Sequence, residues 1–260
     1  MKFAHVMKSV AVAAAVVAAA PGFAQTVQYV SGSGTGTFVF DSSLLGALSA
    51  GSVSVAAVSP ATATMSGTTV SGASAPISAI VLDSGNHLTG SNPIVSAGGT
   101  LQTAPSNFAG NGGTLSVTNL GLDLATGFIT ADLSGGNGVQ ALTHVDVFQI
   151  GSASFDGTSV SPTAAGSVAV TAGTHTLTSA GLTLNSAAID SAGDNAKQYF
   201  IKALGLTAIG SSIINGVTNF GTLTVTGTFK NTTAVPEPST YAMLGLGLAG
   251  LAVASRRRAK

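Results

Sequence analysis

Between its two apolar ends, this chain carries few side chains able to do chemistry. Over residues 25–234 the histidines are His87, His144 and His175, and the acids are Asp41, Asp83, Asp123, Asp132, Asp146, Asp156, Asp190 and Asp194. His144 and Asp146 stand two apart in an alternating stretch, so a strand would place them on one face, where such a pair could support a metal or exchange a proton. No third ligand is evident from the spacing, and a lone pair is more often solvated surface. Serines are abundant, but none sits in a G-x-S-x-G elbow, the strained turn that presents a nucleophile. The single glutamate, Glu237, lies near the C-terminus, and there is no cysteine. Gly245-Leu-Gly-Leu-Ala-Gly250 has G-x-G-x-x-G spacing but lies inside an apolar run with no preceding strand, where small residues serve helix packing instead. Gly135-Gly-Asn-Gly138 matches the start of a calcium-binding nonapeptide, yet Gln140 stands where the aspartate belongs and the unit does not repeat. These residues single out no catalytic, cofactor-binding or metal site. The expectation is a protein that is not an enzyme and carries no cofactor.

Charge narrows the partners. Eight aspartates against Lys197, Lys202 and Lys230 leave residues 25–234 at −5, although the whole chain is neutral. A domain of that sign has no basic patch for nucleic acid. Without cysteine, stability must come from packing and backbone hydrogen bonds.

The elements that would hold these side chains read as strands. Thr and Val are frequent, and Gly-Ser-Asn clusters punctuate the alternation. Period-two patterning predicts strands at 35–40, 53–58, 78–82, 114–124, 128–133, 144–150, 167–171, 174–184 and 221–229. In the fourth of these, Leu115, Val117 and Asn119 are expected on one side. Ala125-Thr-Gly127 predicts a tight turn, with Gly127 taking positive φ. One stretch breaks the pattern. From Asp194 to Leu204, apolar residues fall at Ala196, Tyr199, Phe200, Ala203 and Leu204, a helical stripe with Lys197 and Lys202 off it. Asp190 or Ser191 would cap its start and Gly205 end it. It is expected to be the longest helix of the body, followed by a short second helix at 208–215. The predicted fold is mainly β, an antiparallel sandwich or barrel-like domain over 25–230 with a helical hairpin near its end.

The two ends carry a different message. Lys2 and Lys8 precede the apolar run 10–20, and Gly22-Phe-Ala24 supplies small residues at a cleavage site. This predicts a signal peptide over 1–24, formed as a helix and cut between Ala24 and Gln25 by signal peptidase after entry into the Sec translocon. At the other end stand Val235-Pro236-Glu237-Pro238-Ser239, an uncharged run to Ala254, then Ser255-Arg256-Arg257-Arg258-Ala259-Lys260. As a helix, 241–254 rises about 21 Å, short of the roughly 30 Å hydrocarbon core, and flanking residues or local thinning could cover the difference. Arg256, Arg257, Arg258 and Lys260 would hold that end in the cytoplasm as a stop-transfer cluster. Pro236 and Pro238 keep the backbone before the span extended, as a protease requires. Motif, span and basic end in this order over 231–260 closely resemble the PEP-CTERM sorting signal of Gram-negative bacteria, the substrate of the membrane protease exosortase. That resemblance implies a protein held transiently at the inner membrane, cut near its motif, and delivered to the cell surface or extracellular matrix. Proteins of that kind accompany exopolysaccharide and biofilm production, so extracellular polysaccharide is an expected partner.

The body has a resemblance of its own. Thr114-Leu-Ser-Val-Thr-Asn-Leu-Gly-Leu-Asp-Leu-Ala-Thr-Gly-Phe-Ile-Thr-Ala-Asp-Leu133 resembles a stretch of HtaA-type domains, secreted β-rich modules of which some bind haem. This implies an alternative role as a binding module for haem or another small ligand. Tyr29 and Tyr199 are the tyrosines of the body, and no position here matches the family's haem ligands.

Overall fold

Alternation decides most of the architecture. A computed structural model describes residues 26–89 and 94–232 of the chain. Its strands are β1 (Thr26–Tyr29), β2 (Thr35–Phe40), β3 (Ser54–Val58), β4 (Thr62–Ser66), β5 (Thr69–Ile80), β6 (Ile94–Ser96), β7 (Gly99–Asn107), β8 (Gly110–Asp123), β9 (Phe128–Gly135), β10 (Leu142–Gln149), β11 (Ser152–Phe155), β12 (Thr158–Val160), β13 (Gly173–Ala180), β14 (Thr183–Leu184) and β15 (Gly221–Thr232). Three short helices accompany them: α1 (Ser42–Ala50), α2 (Ala196–Ala203) and α3 (Ala208–Asn215). Every strand pair is antiparallel. The sheet runs β12-β11-β13-β15-β2-β5-β6-β8-β9-β10-β14, with β1 beside β15, β4 beside β5, and β3 and β7 joined onto β8. It curls into a half-barrel. The long strand β5 makes the bend possible: its first half pairs with β2 and β4, its last residues with β6.

Inward residues of the curled sheet and one face of each helix form the core. On β15, Leu223, Val225 and Phe229 are buried while Thr222, Thr224, Thr226 and Thr228 face outward. On α2 the predicted stripe is the packed one, with Ala196, Tyr199, Phe200 and Ala203 all buried. Phe148 sits at the centre, with ring centroids 5.5 Å from Phe38, 6.1 Å from Phe220 and 6.4 Å from Phe200. The Tyr199 hydroxyl is buried too, and it donates to the Gln140 carbonyl at 2.6 Å.

Several expectations need correction. The helix start is capped by Asn195, whose side chain accepts from Gln198 N while Gln198 Oε1 accepts from Asn195 N, a closed capping box. Asp190 and Ser191 lie a turn too early for that role. The longest helix of the described residues is α1, with nine residues against eight for α2. Asp41 caps α1 by accepting from Ser43 N at 2.8 Å, and Leu44 and Leu48 supply its buried face. The strand expected at 78–82 begins earlier, as β5. The stretch 167–171 holds only an isolated bridge from Ala169 to His87. The stretch 174–184 is broken by Gly181, at φ +64°, into β13 and β14. Asn119 does not follow Leu115 and Val117 inward. It takes φ +53° at a bulge in β8, and the alternation restarts one residue later with Leu120 buried.

The β8–β9 hairpin forms as the turn residues predict. Gly127 has φ +77°, its N–H donates to Asp123 O at 3.0 Å, and Ala125 N donates to Asp123 Oδ1 at 2.8 Å. Gly135-Gly-Asn-Gly138 is a plain turn with a structural task. Asn137 Nδ2 donates to Gly112 O and Ala203 O, both at 3.1 Å, and so ties the end of α2 to β8. The signal peptide with its Ala24–Gln25 cleavage point, the sorting motif, the transmembrane span and the basic end all lie outside the described residues. Among the described residues no helix is long and apolar enough to cross a membrane.

Candidate functional site

The histidine–aspartate pairs come first, because they are where chemistry would have to start. His144 and Asp146 do not sit on a regular strand. His144 has φ +58° within a first register shift of β10, between Leu142 and Val145, and a second shift between Asp146 and Phe148 leaves Val147 and Phe148 both buried in succession. The His144 N–H donates to Asp132 Oδ1 at 2.8 Å, and the other oxygen of Asp132 accepts from Asn119 Nδ2 at 2.8 Å. Asp132 therefore clamps two neighbouring bulges, a structural task. Burial raises the Asp146 carboxyl above its ordinary value, nearby Asp123 adds to this, and His144 opposes it.

His87 and Asp83 form a second pair within one turn. Asp83 Oδ1 accepts from the backbone N–H of Gly85 and His87, each at 2.8 Å, and lies 3.2 Å from His87 Nδ1. The pair is exposed and holds a loop.

His175 and Asp156 form the tightest pair. His175 Nδ1 is 2.6 Å from Asp156 Oδ2, and Nε2 is 3.0 Å from the Thr171 carbonyl oxygen. Both ring nitrogens thus face oxygen acceptors. The ring stacks on Phe155 at 5.2 Å and lies 5.8 Å from Phe229. Asp156 Oδ1 also accepts from Thr176 N at 2.8 Å. Partial burial would raise the Asp156 carboxyl, but the His175 and Thr176 hydrogen bonds outweigh it and hold the group below its ordinary 3.8. A depressed carboxylate stabilises the fold above its unfolded value and loses that contribution as pH falls through the folded one. Asp156→Asn is therefore expected to lower stability by about 1 kcal/mol near neutral pH, a modest figure because the carboxylate is partly solvated. The gap between variant and wild type should close below about pH 4 as Asp156 is protonated. Urea denaturation at pH 7 and pH 3 measures this. A gap that persists undiminished at pH 3 would show that the carboxylate charge is not what matters.

Among the described residues no group of three or more His, Cys, Asp or Glu side chains could hold a metal ion.

The more extensive feature is the outer face of the sheet. The register places Ser159 opposite Ser154, Ser154 opposite Thr178, Thr178 opposite Thr224, Thr224 opposite Thr37, Thr37 opposite Ser74, and Ser74 opposite Thr62. A row of hydroxyl side chains thus crosses seven strands from β12 to β4. A parallel row runs through Thr176, Thr226 and Thr35, and a third through Thr174 and Thr228. Neighbours bond to each other: the Thr37 and Ser74 hydroxyls are 3.0 Å apart, those of Thr174 and Thr228 3.0 Å, those of Thr176 and Thr226 3.3 Å. Strand spacing sets the array at about 4.8 Å across strands and about 6.7 Å along them. Sequence reading finds the threonines but not the rows, because register between strands distant in the chain is not written in local alternation.

Residues 234–258 match the family model of the PEP-CTERM protein-sorting motif. The chain carries a PEP-CTERM sorting signal. The matched segment contains the whole of Val235-Pro236-Glu237-Pro238-Ser239 together with Arg256, Arg257 and Arg258. The PEP-CTERM signal marks the protein for export and for sorting to the cell surface, with processing by an exosortase, a membrane protease. Its match reaches none of the described strands or helices, so the PEP-CTERM signal assigns the destination and leaves the body to be argued from its own surface. No curated protein and no solved structure matches the chain. The resemblance of residues 114–133 to HtaA-type domains finds no support in these comparisons.

Proposed function

We propose that this PEP-CTERM protein is a non-enzymatic component of the cell surface or extracellular matrix, and that the hydroxyl-bearing face of its sheet contacts extracellular polysaccharide in a biofilm. The protein enters through the Sec translocon, loses its signal peptide, and waits in the inner membrane on its C-terminal span until the exosortase cuts it. The observation that carries the reading is the seven-strand hydroxyl row. Each hydroxyl can donate once and accept twice, so pairs bonded to each other keep capacity for water or sugar hydroxyls. Such a face is uncharged along its rows and well hydrated. It would meet a polysaccharide with many weak, replaceable hydrogen bonds, which suits a matrix component better than a tight receptor.

The test replaces Thr37, Thr178 and Thr224 with valine together. Valine keeps the β-branched shape and the strand preference, so the sheet should survive. In cosedimentation of the purified exported protein with extracellular polysaccharide from the same cells, the triple variant is expected to bind at least about tenfold more weakly, a loss of about 1.4 kcal/mol. Circular dichroism should be unchanged. Equal binding by variant and wild type would reject the face as the contact surface.

A further inference from the structure

Where α1 and α3 meet the β7–β8 turn, the surface presents an apolar knob beside an apolar groove. Phe108 is one of the two residues of that turn, which Asn107 and Gly110 close as a pair. Its side chain is 63% exposed, while Ala109 beside it is buried. The turn is tied down from two sides. Asn107 Nδ2 donates to Gly51 O at 2.9 Å, just past the end of α1, and Asn107 Oδ1 accepts from Ala109 N at 2.8 Å. Thr207, which precedes α3, donates from Oγ1 to Phe108 O and from its N–H to Ala109 O, both at 2.9 Å. Helix α3 packs so closely that a Cβ on Gly210 would stand 2.0 Å from Ala109 O. The backbone that carries the Phe108 ring is therefore fixed, and an anchor held in place before binding loses little freedom on contact.

Around the ring the surface stays apolar. Ile209, in the first turn of α3, is 53% exposed, and Ile213 lies four residues on, along the same face. Ile213 lines a shallow groove between α1 and α3, with Ala47, Val53, Ala109, Leu206 and Gly210. Ring, helix face and groove join into one patch, and a contiguous apolar patch marks a contact site where scattered apolar residues do not. The patch is also uncharged. Residues 42–82, 84–122 and 203–229, which supply all of its residues, contain no Asp, Glu, Lys or Arg.

Charge and shape together identify the partner. Two copies of a body at −5 repel where their carboxylates meet, so they approach best through a surface without charge. A two-fold contact uses the same patch on both copies, so that patch must hold both a projection and a recess to receive it. This one holds both. We propose that a second copy of this chain docks here, with Phe108 of each copy laid against the α1–α3 groove of the other. None of these residues belongs to the hydroxyl rows, so the contact stands or falls independently of polysaccharide binding.

Sedimentation velocity of the purified exported protein over a range of concentrations tests this. The wild type is expected to pass reversibly from monomer to dimer and no further. Phe108→Asp places a carboxylate in the contact and should weaken the dimer at least about tenfold. Ile209→Asp should weaken it as well. Both positions are exposed, so circular dichroism and Tm should match the wild type; if one variant does not fold, the other decides. Val81→Asp, at an apolar position just beyond β5 that is 48% exposed, should dimerise as the wild type does. A wild type that stays monomeric at every concentration overturns the proposal, as does a dimer undiminished in the folded Asp variants. Equal loss of the dimer in Val81→Asp overturns it too, because association would then not depend on this patch. Growth beyond the dimer overturns the two-fold arrangement. Flotation of a monomeric wild type with phosphatidylcholine vesicles, lost in Phe108→Asp, would assign the patch to lipid and overturn the second copy as its partner.

Discussion

Replacing Pro236, Glu237 and Pro238 with three alanines is expected to leave the signal peptide cleaved, the C-terminus uncut and the protein in the inner-membrane fraction with Lys260 still attached. Residues 241–254 are uncharged, and Arg256, Arg257, Arg258 and Lys260 stand directly behind them. On the proposed topology, the basic cluster at the end of the apolar run stays on the cytoplasmic side, which would hold the motif on the outer side at the membrane surface. If residues 241–254 form a membrane-spanning helix, the two prolines of the motif would prevent it from continuing and keep the strip extended, accessible to a protease. Alanine does the opposite, because it is the best helix former and would let the span run on through the cleavage region. The variant therefore loses both the recognised residues and the backbone shape. On that topology an uncut span would act as a membrane anchor, so the expected result is all-or-none in location rather than a graded loss. Fractionation and intact-mass measurement read it out. Arrival of the variant at the surface with the wild-type mature mass would show that the PEP-CTERM signal is not what sorts this protein.

Legibility in the sequence followed the range of the interaction that fixes each feature. The β8–β9 hairpin, α2 and α3 are local: Asp123 and Gly127 make the turn, and the Ala196–Tyr199–Phe200–Ala203 stripe makes the helix, so both can be read from neighbouring residues. The helix α1 had a local signal as well, Asp41 as cap with Leu44 and Leu48 one turn apart, but Gly46 and three serines weakened its helical preference. The bulges at Asn119 and His144 were not legible, because each depends on Asp132 from a neighbouring strand. The same limit hid the hydroxyl rows. The threonines of β13 and β15 are visible in the chain, yet the row that joins Ser159 to Thr62 depends on the pairing of β15 with β2, more than a hundred residues apart.

The second large effect concerns the helix that closes the concave side. Phe200→Asp is expected to cost at least about 4 kcal/mol, a large part of the roughly 5–15 kcal/mol that holds a typical domain together. Two losses add. Removing the ring forfeits the packing of a buried phenylalanine, about 3–5 kcal/mol when cut back to alanine. The carboxylate then enters a wall made of Phe38, Phe148 and Phe220, with no cation beside it, and must either take up a proton or pull α2 away from the sheet. For a body of this size, each kcal/mol shifts Tm by roughly 2–4 °C, so a fall of about 8–16 °C is expected. Lys197→Ala on the same helix lies off the buried stripe and should move Tm by no more than about 2 °C, which separates loss of packing from loss of helix. Phe200→Leu should fall between the two, since it keeps an apolar side chain of smaller reach. Both thermal melts and the urea midpoint measure the series. An Asp variant that melts with the wild type would mean that α2 does not pack on the sheet.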